Sequence, residues 1–141
     1  MHTYIHKVRY YETDKMGITH HSNYIRWMEE ARMDLLESIG YGYAQLEHAG
    51  ILSPVIGVEC QYQHPTTFAD AVKVTVGVDA FTGVRLVVAY TMTNAATGDL
   101  VLTGKTTHCF TDAKGKPMIL KKQFPALDCV LRALSATQTT D

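Results

Sequence analysis

An aspartate, a glycine and two neighbouring histidines stand just ahead of an amphipathic run in "YETDKMGITHHSNYIRWMEEAR", residues 11–32. Asp14, His20 and His21 are side chains that could move a proton or attack a carbonyl. An α-helix leaves its first amides unpaired and carries partial positive charge at that end. An oxygen becoming anionic is stabilised there, by about 3 kcal/mol per well-aimed donor. A carboxylate a few residues upstream, folded back by Gly17, could face the same point and attack a carbonyl or deprotonate a water. Together these parts suffice for acyl transfer from an activated ester, without serine, cysteine or metal. Spacing alone favours a plainer reading. Aspartate before a helix is a common turn or capping residue, and His21 is equally a surface histidine.

The elements around this stretch follow from periodicity. Residues 2–12 alternate (Tyr4, Lys7, Val8, Tyr10) and predict a strand, and Lys15-Met16-Gly17 predicts a turn. From His20 or Asn23 to Ile39 the apolar residues Tyr24, Trp27, Met28, Ala31, Leu35 and Ile39 recur at helical spacing, with Gly40 as a natural stop. Glu29, Glu30, Arg32 and Asp34 are assigned to the wetter face, and Trp27, Met28 and Leu35 are most simply core. A helical turn is expected at Tyr43–His48.

The composition then turns β-branched and aromatic, in "PVIGVECQYQ", "AVKVTVGVDAF", "VRLVVAYTMTN" and "LVLTGKTTHCFTD". Short turn signals at Thr82-Gly83, at 96–99 and at 113–116 predict an antiparallel meander. "FPALDCVLRAL" predicts a terminal helix with Pro125 in its first turn, and residues 134–141 a flexible tail. The class is α+β. One helix of some five turns cannot bury its stripe alone, so a strongly curved antiparallel sheet must wrap it.

Bulk properties narrow the function. With 141 residues the chain is expected to be one domain, 1–141, large enough for a real core. Hydrophobic residues make up 46% and charged residues 19%, a globular balance. The net charge of −1 gives no electrostatic reason to expect nucleic acid or an anionic membrane surface. No apolar run is long enough to span a bilayer. The N-terminus has neither signal- nor transit-peptide character, so the cytoplasm is expected. Cys60, Cys109 and Cys129 form no C-x-x-C and read as small buried residues.

Other chemistries are poorly supported. "TGKTT" at 103–107 echoes a phosphate loop, but Asp99 stands where its first glycine belongs. No G-x-S-x-G, G-x-G-x-x-G or H-E-x-x-H occurs. Adjacent His20 and His21 would point apart on a helix or strand, and the other histidines lack ligand spacing, so no metal site is expected. Lys114, Lys116, Lys121 and Lys122 read best as a solvated charge run.

The stretch "YYETDKMGITHHSNYIRWMEEAR" resembles the signature of the small hotdog-fold acyl-CoA thioesterases, the 4-hydroxybenzoyl-CoA thioesterase-like family. That pattern, T/C-D-x-x-G-hydrophobic-x-x-H/Y-x-x-Y, is matched by Thr13, Asp14, Gly17, Ile18, His21 and Tyr24, and continues in Trp27, Glu29, Ala31 and Arg32. The strand–helix–four-strand order fits the hotdog fold across residues 2–133. The resemblance implies Asp14 as catalytic carboxylate, nucleophile or general base, and the His21 backbone N–H as the group polarising the thioester carbonyl. It implies substrate contacts at His20 and Tyr24, with His20 replacing an aromatic residue often found there. It further implies sites shared across a homodimer, often within a homotetramer. Coenzyme A would be part of the substrate, with no bound cofactor. Left open are an acyl-carrier-protein or aromatic, quinone-pathway thioester as substrate, and a catalytically silent acyl-CoA-binding protein.

Overall fold

A computed structural model describes residues 1–139, with side chains described through residue 136. Its elements are β1 (His2–Lys7), α1 (Ser22–Ser38), α2 (Tyr43–His48), β2 (Val55–Tyr62), β3 (Ala71–Phe81), β4 (Arg85–Asn94), β5 (Leu100–Cys109), α3 (Leu120–Gln123) and α4 (Pro125–Thr139). The five strands form one antiparallel sheet in the order β1-β3-β4-β5-β2. β3, β4 and β5 are the expected meander. β2 crosses over to the far side of β5, so β1 and β2 are the two edges.

The core lies between this sheet and the helices. β3 turns Val72, Val74, Val76 and Val78 inward, and β4 turns Leu86, Val88, Tyr90 and Met92 inward. Against them α1 presents Trp27, Met28, Ala31, Leu35 and Leu36, the first three without exposed surface. Those positions repeat at helical spacing, which is why this run folds as a helix and why one of its faces must be covered. Burying a side chain such as Met28 stabilises by about 1.5–3 kcal/mol. Gly40, at φ +86°, ends the helix in a conformation that disfavours side chains. Gly104 is needed for space: a Cβ there would stand 2.8 Å from the Glu59 carbonyl oxygen and 3.1 Å from Met28 Sδ.

The three cysteines are not buried as expected, Cys60 and Cys109 being half-buried and Cys129 exposed, and four further details differ from the sequence expectation. First, the opening strand stops at Lys7, and Tyr10–Glu12 form a 3-10 turn. The Glu12 carboxylate accepts the Arg9 N–H at 2.7 Å and draws the chain out of the sheet. Second, Arg32 is buried, whereas Glu29, Glu30 and Asp34 are exposed. Third, α4 continues through Ser135 to Thr139, since no glycine or proline interrupts it. Residues 140–141 of the expected tail lie outside the described residues. Fourth, an extra short helix, α3, precedes Pro125, which opens α4 as anticipated.

Arg32 belongs to a polar pocket in the core. Tyr90 OH and Thr106 Oγ1 are 2.8 Å apart, and Thr106 Oγ1 is 2.8 Å from His108 Nε2. Burial, and then the Arg32 charge, lower the His108 pKa to about 4. Folded His108 is therefore neutral where the unfolded chain, with an ordinary histidine pKa of about 6.5, takes a proton. Stability contributed by the neutral form is present above that value and is lost as pH falls towards 4, by on the order of 3 kcal/mol. His108→Gln removes this titration. Urea unfolding from pH 7 down to 4.5 should show a shallower loss for the variant, and parallel curves would mean that folded His108 binds its proton normally.

Candidate active site

Asp14 stands in a small closed loop. Its N–H donates to the Ile18 carbonyl at 2.9 Å, and its carbonyl accepts the Gly17 N–H at 2.9 Å. Gly17, at φ +79°, makes the reversal. Thr13 and Thr19 then pair across the loop base. Asp14 Oδ1 accepts the Met16 N–H at 2.9 Å, so the aspartate does serve its turn. Oδ2 makes no hydrogen bond among the described residues, leaving one oxygen of a half-buried carboxylate unengaged.

The second arm of the loop leads directly into α1. Thr19 anchors it: its N–H donates to the Thr66 carbonyl at 2.8 Å, and its hydroxyl lies 2.7 Å from Thr66 Oγ1. The His20 N–H donates to the Glu12 carbonyl at 2.8 Å, and Asn23 Nδ2 donates to the same oxygen at 2.9 Å. His21 occupies the position before the helix and offers no side-chain cap to it. The His21 N–H has no hydrogen-bond partner among the described residues. The start of α1 therefore keeps donor capacity beside a carboxylate-bearing turn.

A cleft of about 320 Å³ opens at this end of the helix, walled by Ile18, His21, Tyr24, Tyr62, His64 and Pro65 among others. The wall is mainly apolar and aromatic. Tyr24 is nearly buried, with its hydroxyl 3.0 Å from Thr66 Oγ1 and its ring edge-on to Tyr62 at 5.7 Å. Tyr62 OH reaches the His21 carbonyl at 3.4 Å. Burial, followed by the neighbouring Cys60, raises the Tyr62 pKa, so its phenol keeps its proton near neutrality.

Of the residues singled out in the sequence, His21 and Tyr24 line the cleft. Asp14 lies in the loop whose other arm, Ile18 and Thr19, forms part of the wall. His20 does not line it: its Nδ1 lies 2.8 Å from Ser22 Oγ. The two histidines do not point apart, because they occupy the junction between loop and helix rather than either element. Their rings stack at 4.3 Å. Among the described residues no three His, Cys, Asp or Glu side chains gather as metal ligands. Lys114, Lys116, Lys121 and Lys122 are exposed and none lines the cleft.

Tyr62 and His64 are the residues that sequence reasoning passed over. They follow the β2 alternation Val58, Cys60, Tyr62, which identifies a face of a strand but not what lies opposite. Glu12 was also missed. It is buried, yet it reads as one more polar residue of a turn.

Comparison with known proteins assigns the chain to a family. The model of the Thioesterase-like superfamily matches residues 8–134. YneP of Bacillus subtilis (strain 168), provisionally named an acyl-CoA thioesterase, is 35% identical over 120 residues, covering 84% of this chain and 86% of that one. A 1,4-dihydroxy-2-naphthoyl-CoA hydrolase of Thermosynechococcus vestitus is 26% identical over 106 residues, covering 74% of this chain and 72% of the relative. The crystal structure of a DHNA-CoA thioesterase from Staphylococcus aureus superposes with a TM-score of 0.92 at 32% identity, covering 98% of this chain and 93% of the other. The wrapped helix is thus the hotdog fold, and the chain belongs to the Thioesterase-like superfamily.

Proposed function

We propose that this protein is an acyl-CoA thioesterase whose reaction runs between the Asp14 carboxylate and the amide end of α1. The observation that carries this reading is the closed loop from Thr13 to Thr19, which joins a carboxylate with an unengaged oxygen to a helix start whose His21 N–H is unpaired among the described residues. In the reaction, a water oxygen ends on the carbonyl carbon and the C–S bond breaks. The products are the free acid and coenzyme A as its thiol. Asp14 Oδ2 either takes the proton from that water or attacks first, forming an anhydride that water then opens. The His21 N–H receives the carbonyl oxygen as it becomes anionic. Carboxylate and amide provide the chemistry, and no cofactor is assigned a role.

The aromatic wall of the cleft favours a flat acyl group. Tyr24, Tyr62 and His21 offer ring surfaces, and a planar aromatic acyl chain would stack on them better than a long flexible one. A panel of aromatic and aliphatic acyl-CoA thioesters, assayed for thiol release, tests the reaction and this preference together. No release from any member would remove the activity, and fastest release from long aliphatic chains would remove the aromatic preference.

We also propose that two copies associate along β2. This edge strand exposes Val55, Ile56, Val58 and Tyr62, each between 41% and 48%. An unpaired apolar edge is a ready template for another strand. Tyr62 closes the same strand and lines the cleft, so a partner there would complete the cleft wall. A tetramer would be two such pairs.

Asp14→Asn should lower turnover by about 100-fold or more with fold and mass unchanged, as read by steady-state kinetics on the best thioester. His21→Ala should be milder, because it keeps the backbone N–H that His21→Pro removes. Equal inactivity of His21→Ala and Asp14→Asn would make the imidazole itself a principal group. For the assembly, light scattering should give a multiple of 15.7 kDa. Val58→Lys should shift the mass towards one chain and reduce activity in parallel. A wild-type monomer with full activity would overturn the shared site.

A further inference from the structure

Three side chains and two backbone amides converge on Glu12, a residue outside the cleft. Its carboxylate is almost completely buried. Oε1 accepts the Arg9 N–H at 2.7 Å and lies 2.8 Å from His6 Nε2. Oε2 accepts the Trp27 indole N–H at 2.7 Å. The other His6 nitrogen, Nδ1, lies 3.4 Å from Glu30, and the His6 ring packs on Trp27 at 4.4 Å. Meanwhile the Glu12 backbone oxygen holds both the His20 N–H and Asn23 Nδ2. One residue therefore ties β1, the middle of α1 and both ends of the Asp14 loop.

We propose that Glu12 is a positioning residue for thioester hydrolysis, whose carboxylate clamps the Asp14 loop against α1 so that the aspartate faces the amide end of the helix. The inference rests on the assignment of Asp14 above. An ionised carboxylate suits the clamp, since the Arg9 N–H and the Trp27 indole N–H donate to different oxygens. Burial by itself would raise the Glu12 pKa, but the hydrogen bonds from His6, Arg9 and Trp27 overcome it and the net shift is downward. Glutamine has the same shape but turns an NH2 towards either the indole N–H or the Arg9 and His6 donors. Donor then faces donor in a dry site, and the loop must move. A displacement of about 1 Å between reacting groups is enough to cost on the order of 100-fold in rate.

The test uses the full chain and its best acyl-CoA substrate, well below the melting temperature of each variant. Glu12→Gln should lower kcat about 10-fold or more while KM stays within about threefold, because most of the cleft wall, with Tyr24, Tyr62, His64 and Pro65, lies outside the displaced loop. Trp27, the only tryptophan, should change its emission as its partner is altered. Trp27→Phe removes the opposing donor, so the double variant should be no slower than the slower single variant. A role in stability alone predicts instead a lower melting temperature with kcat intact. Should Glu12→Gln fail to fold, His6→Gln is measured in its place, with a severalfold fall in kcat expected. A folded variant with wild-type kcat, a loss confined to KM, or independent effects in the double variant would overturn the inference. Asp14→Asn is run alongside. If it is inactive while Glu12→Gln is fully active, the clamp alone is wrong. If Asp14→Asn is active, the assignment of Asp14 falls and the clamp falls with it.

Discussion

Helix α1 has to satisfy two opposed demands along a single rod. Its middle must be dry, with Trp27, Met28 and Ala31 sealed against the sheet. At its start the Ser22 N–H is taken by His20 Nδ1 at 3.3 Å, whereas the preceding His21 N–H, the proposed donor to the substrate oxygen, has no partner among the described residues. The sheet resolves the conflict by curving over the body of the helix. At the helix start the covering passes to the 62–66 segment, where Thr66 grips Thr19 and Tyr24 while Tyr62 and Pro65 stand back to leave a cleft. Loop, cleft and the end of β2 all meet at that end of the helix.

The polar groups inside the protein divide according to charge. Near the helix start, the buried Glu12 keeps its negative charge because every donor around it points inward. Deeper in the core, His108 is kept neutral beside the Arg32 cation, since a second positive charge there would have no water to stabilise it. Neither arrangement contradicts the hydrophobic pattern of the helix.

What the sequence made legible was local. The α1 stripe, the stop at Gly40, the turn at Gly17 and the short links between β3, β4 and β5 are all consequences of near neighbours, and each appears where periodicity and turn chemistry placed it. The missed features depend on residues far apart in the chain. Arg32 looked solvated because nothing nearby reveals Tyr90 and His108. The alternation that begins in β1 runs on through Tyr10, yet the strand ends early because Glu12 is drawn towards Trp27. Periodicity also could not show that β2 would leave its successor for β5, which is what brings Tyr62 to the cleft. For the candidate site, Asp14, His21 and Tyr24 could be named from one contiguous motif. The opposite wall, made by a distant strand, could not.

The proposed reacting groups and Glu12 lie in residues 12–27, a stretch closed by its own hydrogen bonds and held from outside by His6, Arg9 and Thr66. The facing wall comes from the end of β2 and the residues after it, through Tyr62, Gln63, His64 and Pro65. Tyr62, Gln63 and His64 are exposed, so they can vary with little penalty to the core. Under the proposed reaction, chemistry and selectivity would thus be separable, because substitutions at the exposed wall leave the hydrogen bonds of the loop in place.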